Sequence, residues 1–332
     1  MSYWAGKRVL VTGCTGFIGG WLTQRLVDSD ALVFGLIWEV DPDAHFYRAG
    51  LDNRVTCIPG DIRDLPLLKK TLADGHIDTV FHLAAQAIVT KARLSPLETY
   101  ETNTMGTWAL LEAARSASSL QRIVVASTDK VYGEQEELPY MESSPICATN
   151  PYDVSKAAAD LIARSYAATY HLPLAVVRCG NIYGGGDLNF DRLIPGTILA
   201  ALQNEHPLVR SDGTLTRDYL YVDDAVDAYL MLGQALDQQK FHGEVFNFGN
   251  EQPLTVLEVV DRILGLMRRR HLTPIVQNVA KAEIQHQYIS AAKAKDELGW
   301  VPAHDLGSGL PKAISWYEAF PSEMAQETAS AA

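Results

Sequence analysis

Short apolar runs recur along the first half of the chain, and longer segments separate them in which apolar positions return about every three or four residues. Residues 9–11, 31–37, 55–58, 79–83, 122–127 and 174–178 read as strands buried on both faces, because β-branched and aromatic residues follow one another without alternation. Residues 17–27, 65–73, 97–117 and 151–170 read as helices. Such alternation predicts an α/β fold: a Rossmann-type, doubly wound parallel sheet with helices on both faces and ligands beyond the carboxyl ends of the strands. Near Asn181 the pattern changes, and Gly184-Gly185-Gly186 interrupts it. Residues 193–202 read as helix and 208–211 as extended chain. Arg217-Asp-Tyr-Leu-Tyr-Val-Asp-Asp224 leads into a helix to about 236, and 245–248 forms a strand suited to the main sheet. A helix over 255–269, a strand near Ile275 and a helix over 310–317 follow. The expected organisation is a nucleotide-binding domain over 1–180, partly rejoined by 216–249. A smaller α/β substrate-binding lobe over 181–321 and a tail over 322–332 complete it.

The first strand runs directly into Val9-Leu-Val-Thr-Gly-Cys-Thr-Gly-Phe-Ile-Gly-Gly20. Gly13, Gly16 and Gly19 between a strand and a helix make a phosphate cradle: the turn is tight, no Cβ blocks a pyrophosphate, and free N–H groups at the helix start face the anion. Near the end of the second strand Glu39 is the acid placed to meet an adenosine ribose, which favours NAD over NADP; a solvated loop glutamate is the plainer alternative. Asp61 either caps the helix after it or meets the adenine. His82 reads as a satisfied core histidine rather than a catalytic one.

Composition narrows the partners. The chain has 332 residues and a formal net charge of −12, which argues against general binding to nucleic acid or anionic membrane and for small-molecule ligands. No apolar run reaches membrane-spanning length and no signal-peptide pattern precedes the first strand, so a cytoplasmic location is expected. Cys14, Cys57, Cys147 and Cys179 lack metal-ligand spacing, so neither zinc nor a disulfide framework is indicated, and the metal expectation is none.

Tyr152 and Lys156, four apart, share one helical face. An ammonium beside a phenol favours phenolate and lowers its pKa, which suits a base for a sugar hydroxyl while hydride leaves the same carbon; alone, such a pair is usually surface. Ser127-Thr128-Asp129-Lys130 stands at a strand end of the same sheet.

Taken together, Thr12-Gly-x-x-Gly-Phe-Ile-Gly19, Ser127-Thr-Asp-Lys130 and Tyr152-x-x-x-Lys156 resemble the extended short-chain dehydrogenase/reductase family of sugar-nucleotide epimerases and dehydratases. The similarity extends over Phe81-His-Leu-Ala-Ala-Gln86, Asn103-x-x-Gly-Thr107, the 217–224 motif and Leu298-Gly-Trp-x-Pro302. The resemblance implies an NAD site made by Gly13, Thr15, Gly16, Phe17, Ile18, Gly19, Glu39, Asp61, Ile62, Leu83, Ala84, Ala85 and Asn103, with Tyr152 and Lys156 at its nicotinamide end. It implies Tyr152 as base for the 4-hydroxyl, Lys156 tuning it, and Thr128 on the 4-oxygen. For a nucleotide-diphosphate hexose it implies Gln86, Thr128, Asn181, Arg192, Leu193, Arg210 and Arg217, although each arginine alone reads equally as surface. Asp129-Lys130, with Gly180-Asn-Ile-Tyr-Gly-Gly-Gly-Asp187 and Asp191-Arg-Leu-Ile-Pro195, resembles the 4,6-dehydratase branch acting on CDP-glucose. Asp129 is then the acid at the C6 oxygen and Lys130 the C5 proton carrier; the plain alternative is a local ion pair. A 4-epimerase is the second reading, and a non-catalytic NAD-binding protein the third. The family also implies a homodimer through a four-helix interface of residues 97–117 and 152–170, whose small residues would equally suit helices buried within one chain.

Overall fold

The computed structural model describes residues 2–279 and 283–319; the tail read from 322 onward lies outside the described residues. Strands β1 (Arg8–Thr12), β2 (Leu32–Ile37), β3 (Thr56–Pro59), β4 (Thr79–His82), β5 (Arg122–Ala126) and β6 (Leu174–Cys179) form the main sheet. Later in the chain come β7 (Asn181–Tyr183), β8 (Leu208–Val209), β9 (Thr216–Arg217), β10 (Tyr219–Tyr221) and β11 (Val245–Phe248). The last are β12 (Leu254–Thr255), β13 (Ile275–Val276) and β14 (His286–Gln287). The helices are α1 (Phe17–Val27), α2 (His45–Arg48), α3 (Leu65–Asp74), α4 (Val89–Leu94), α5 (Pro96–Tyr100) and α6 (Gly106–Ala114). The long α7 (Pro151–Tyr170) precedes α8 (Leu193–Gln203), α9 (Val222–Ala235), α10 (Val256–Leu266) and α11 (Leu306–Glu318).

All pairs in the seven-stranded sheet are parallel, in the order β11-β6-β5-β4-β1-β2-β3. Successive apolar residues of each strand therefore feed two different cores. Val9, Val11, Phe81, Val124 and Val177 pack against α1 and α9 on one face. Leu10, Val80, Ile123, Val125 and Val176 pack against α3 and α6 on the other. Burial on both faces accounts for the unbroken apolar runs. The strand order reverses between β1 and β4, where a crevice opens at the carboxyl ends.

Local chemistry explains the helix ends, with three corrections. Asp64, not Asp61, caps α3 by accepting from the Leu67 N–H at 3.0 Å. Residues 97–117 are not one regular helix: Glu101–Met105 winds as a π-turn between α5 and α6, which directs the Asn103 side chain inward. The α7 helix spans 151–170, with Pro151 in its first turn and His171 in the left-handed conformation after its end. α11 starts earlier than the apolar pattern indicates, because Asp305 and Ser308 form a reciprocal capping box ahead of it.

The C-terminal lobe packs α8, α10 and α11 around Tyr183, Ile198, Tyr221, Ile263 and Leu310. Its strands come in small sets: β7 with β10, β8 with β13, and β9 between β12 and β14.

Candidate active site

A cleft of about 1440 Å³ runs along the carboxyl ends of the main strands and under the C-terminal lobe, from the glycine turn to Arg210 and Arg217. At one end, backbone makes the wall. Gly13 has φ +74°, and a Cβ there would come within 2.8 Å of the Ala84 nitrogen; a Cβ on Gly19 would lie 1.9 Å from the Gly13 carbonyl oxygen. Only glycine fits either position. Gly16 is the N-cap of α1 and offers no side chain to its first turn, so those N–H groups are left for an anion. Thr15, Gly16, Phe17, Ile18, Leu83, Ala84 and Ala85 line this end, and Glu39, Asp61 and Ile62 line its outer rim. An absent Cβ, uncapped amides and small residues across the neighbouring strand end are what a dinucleotide pyrophosphate requires.

Two residues on that rim carry no periodic signal in the sequence. Trp38 is largely exposed, and the Arg63 guanidinium lies 5.8 Å from its ring centre. Arg63 also donates to Asp61 through Nη2 at 2.6 Å, and these hydrogen bonds hold the Asp61 carboxyl below the usual carboxylate range. His82 is a core residue. Its ring nitrogens meet Thr12 Oγ1 at 2.8 Å and Thr107 Oγ1 at 3.0 Å, and burial lowers its pKa to about 3, which keeps it neutral.

Asn103 and Gln86 lie off the cleft lining. The buried Asn103 accepts from the Gln86 N–H at 2.7 Å and donates to the Gln86 carbonyl at 3.0 Å and to Ser155 Oγ at 2.9 Å. Gln86 spends its amide on Ile88 and Thr99. Asn103 ties the loop after β4 to α7 and the Gln86 side chain ties it to α5, because the π-turn brings the Asn103 amide to that loop rather than to the crevice.

The other end of the cleft is made of side chains from four elements. Beyond β5, Thr128 caps a short turn over Asp129–Tyr132: its Oγ1 accepts from the Lys130 N–H at 3.3 Å and donates to Asp129 Oδ1 at 3.0 Å. Asp129 is 2% exposed and its Oδ2 has no hydrogen-bond partner. Burial pushes its carboxyl up to about 6, against the opposing pull of Lys130, Thr128 and Arg217. Lys130 takes a different partner, with its Nζ 3.5 Å from Gln287 Oε1. Asp153, the residue after Tyr152, is a buried carboxylate on the lining that sequence reasoning missed. Its Oδ2 accepts from Asn150 Nδ2 at 3.2 Å, and burial raises its pKa while Lys130 lowers it.

Tyr152 and Lys156 line the cleft from the first turns of α7, but the pKa relation expected from their spacing does not hold in this state. The Lys156 ammonium donates to the Ala126 carbonyl, and burial lowers its pKa to about 8. The Tyr152 phenol is pushed up to about 12 by burial, with Arg192 the cation that opposes the rise. Sharing a helical face thus brings both groups to the site without making the ammonium the phenol's partner.

Each arginine is paired with a carboxylate. Arg192 meets Asp187 at 3.0 Å, Arg210 meets Asp191, and Arg217 meets Glu283 at 3.3 Å. Asn181 Nδ2 donates to the Asp218 carbonyl at 3.5 Å, and Leu193 lines the cleft at the start of α8. Forked donors converging from three elements suit phosphate oxygens.

Comparison with known proteins gives this geometry a family. A family model described as GDP-mannose 4,6 dehydratase matches residues 10–312. CDP-glucose 4,6-dehydratase of Salmonella typhimurium is 32% identical over 334 residues, covering 96% of this chain and 92% of the relative. dTDP-glucose 4,6-dehydratase of Neisseria gonorrhoeae is 33% identical, covering 94% and 95%. Among solved structures, dTDP-glucose 4,6-dehydratase of Streptomyces venezuelae with NAD bound superposes with a TM-score of 0.84 at 28% identity, covering 94% of this chain and 97% of that one. UDP-glucose 4-epimerase of Thermotoga maritima also gives a TM-score of 0.84, at 26% identity, covering 94% and 98%. With the glycine cradle, Thr128, Asp129, Tyr152 and Lys156 arranged along one cleft and the match running through nearly the whole chain, this protein belongs to the GDP-mannose 4,6 dehydratase family of sugar-nucleotide enzymes.

Proposed function

We propose that the protein is an NAD-dependent 4,6-dehydratase of a nucleotide-diphosphate hexose, with CDP-glucose the preferred substrate, yielding the 4-keto-6-deoxy sugar nucleotide. The observation that carries this reading is Asp129: a buried carboxyl raised to about 6, one oxygen unpartnered, directly after Thr128 and beside Lys130. A 4-epimerase has no task for a proton donor there. A dehydratase needs one at the departing C6 oxygen.

Gly13, Gly16 and the amides of α1 would hold NAD, which would supply a hydride acceptor for C4 and a hydride donor for C6. Arg192, Arg210 and Arg217 grip the diphosphate, exchanging their carboxylate partners for phosphate oxygens. Tyr152 and Thr128 meet the 4-hydroxyl, Tyr152 as the proton acceptor, with Lys156 at its side on the same helical face. Once C4 is a ketone, the C5 proton is acidic and passes to Lys130 Nζ, which takes it as the neutral amine and becomes the ammonium. The C5–H electron pair becomes the C5–C6 double bond, the C6–O bond breaks, and Asp129 gives its proton to the leaving oxygen as water. After C6 is reduced, a proton returns to C5.

Leu97 on α5, Trp108 on α6 and Leu161 on α7 are exposed apolar side chains on helices packed side by side, which supports a homodimer through a four-helix interface. Four free cysteines agree with a reducing compartment, hence the cytoplasm; no described helix is long and apolar enough to cross a membrane.

The test is mass spectrometry of products from CDP-glucose, dTDP-glucose, UDP-glucose and GDP-mannose with NAD added. Loss of one water, fastest from CDP-glucose, is the expected result. An isobaric product of new retention time would overturn it in favour of epimerisation.

A further inference from the structure

Gln287 is fully buried, its Oε1 lies 3.5 Å from Lys130 Nζ, and its Nε2 has no hydrogen-bond partner. A buried amide with one end unpaired costs free energy that an apolar side chain of the same shape does not. Its placement follows from a parallel ladder: Gln287 of β14 is in register with Arg217 of β9, so the two side chains leave the same face of that small sheet. The guanidinium of Arg217 is close enough to act electrostatically on Asp129. Gln287 itself is not among the residues lining the cleft, whereas Lys130 is. The amide therefore stands behind the lysine, and it belongs to the lobe that carries the diphosphate arginine.

A lysine stem has four rotatable bonds, and a base that must reach one sugar carbon needs its head held over that carbon. Lys130 acts electrostatically on Asp129 in the turn that carries it and on Asp153 of α7; Gln287 is the acceptor that reaches it from the C-terminal lobe. We propose that Gln287 is a positioning residue for Lys130: its carbonyl oxygen holds the lysine head where it takes the C5 proton, so that the lobe gripping the diphosphate also aims the base. The proposal rests on the dehydratase reading of Lys130 given above.

The experiment compares wild type, Gln287→Met and Gln287→Glu on the substrate that loses water fastest, using it with ordinary hydrogen and with deuterium at C5. Gln287→Met removes both polar atoms at similar volume. Its kcat is expected to fall about 10- to 100-fold with KM within about twofold. The deuterium effect on kcat should exceed that of wild type, because C5 deprotonation becomes slower than the other steps. Melting temperature should stay level or rise, since the unpaired amide is gone. Gln287→Glu keeps an acceptor oxygen and should recover most of kcat. Wild-type kcat and isotope effect in Gln287→Met would overturn the proposal, as would an equal loss in both variants with an unchanged isotope effect. If wild type releases no water from any sugar nucleotide, the dehydratase reading fails by itself. The contact is then read from the rate at which an amine reagent acylates Lys130, mapped by mass spectrometry: faster in Gln287→Met sustains the hold, and equal rates overturn it.

Discussion

The two ends of the cleft are built by opposite means. The cofactor end is backbone: positive φ at Gly13, a Cβ-free contact at Gly19 and uncapped amides on α1. The end proposed as catalytic is side chain: Asp129 and Lys156 are buried, Lys130 and Tyr152 half-buried, and Asp129, Tyr152 and Lys156 are held away from their ordinary pKa values. A backbone site is all-or-none, since one added carbon fills it. A side-chain site is graded, and it stores destabilisation that substitution can release. Asp129 makes this plain beside another buried carboxylate, Asp160, which is held by the Arg178 fork at 2.8 and 2.9 Å. The paired acid lies off the cleft; the acid left half-unpaired lines it.

That contrast can be broken at four points, in descending order of effect. Gly19→Ala should be the most damaging: with its Cβ 1.9 Å from the Gly13 carbonyl, the turn must open. NAD affinity measured by calorimetry is expected to drop about a hundredfold or more, together with a lower melting temperature; retained binding would show that the cradle is graded after all.

Asp129→Asn should lower dehydration about 100-fold while stabilising the protein. The sign follows from the raised pKa. In the unfolded chain the group loses its proton near the ordinary 3.8, in the folded protein near about 6, so the unfolded state binds fewer protons between these values. The stability contributed by the protonated acid is complete below about 4 and is lost as pH rises through about 6. The asparagine variant escapes that loss. It should be more stable than wild type by about 1–3 kcal/mol at pH 7.5, converging with it near pH 4, as read by denaturant melts at several pH values. In wild type the same titration should lower kcat/KM for dehydration above about pH 6, because the acid form is the donor.

Arg217→Lys keeps the charge and removes the fork. A KM about tenfold higher with kcat little changed is expected from steady-state kinetics. Glu39→Gln should be the mildest, shifting the NAD dissociation constant by less than about threefold, because Glu39 stands exposed on the rim and a hydrogen-bond acceptor survives the change. A large effect would mean that the cofactor end also depends on a side chain.

Legibility followed the same division. The glycine turn, the buried strands and the span of α7 could be read locally, because each is dictated by φ, by two-sided burial or by a proline in the first turn and the apolar period after it. Asn103 could not be assigned from its neighbours: a π-turn changes which way position 103 faces, and a regular helical period cannot announce it. Of the two roles open to Asp61, the cap falls to Asp64, three residues nearer the helix. Trp38, Arg63 and Asp153 lie at strand or helix ends, where the burial of a polar side chain depends on what packs over it.

What the chain determined alone is therefore its succession of elements, the phosphate cradle and the residue types brought to the strand ends, all matters of local conformation and periodicity. The tertiary structure decided which of those residues are buried and with whom they pair. It left Asp129 half-unpaired, turned Lys156 to a carbonyl, and set Gln287 against Lys130 across 157 positions. Such contacts rest on the register of two-residue strands and on loop packing. No run of sequence that short has a period to read, whereas burial and pKa are properties of the surroundings.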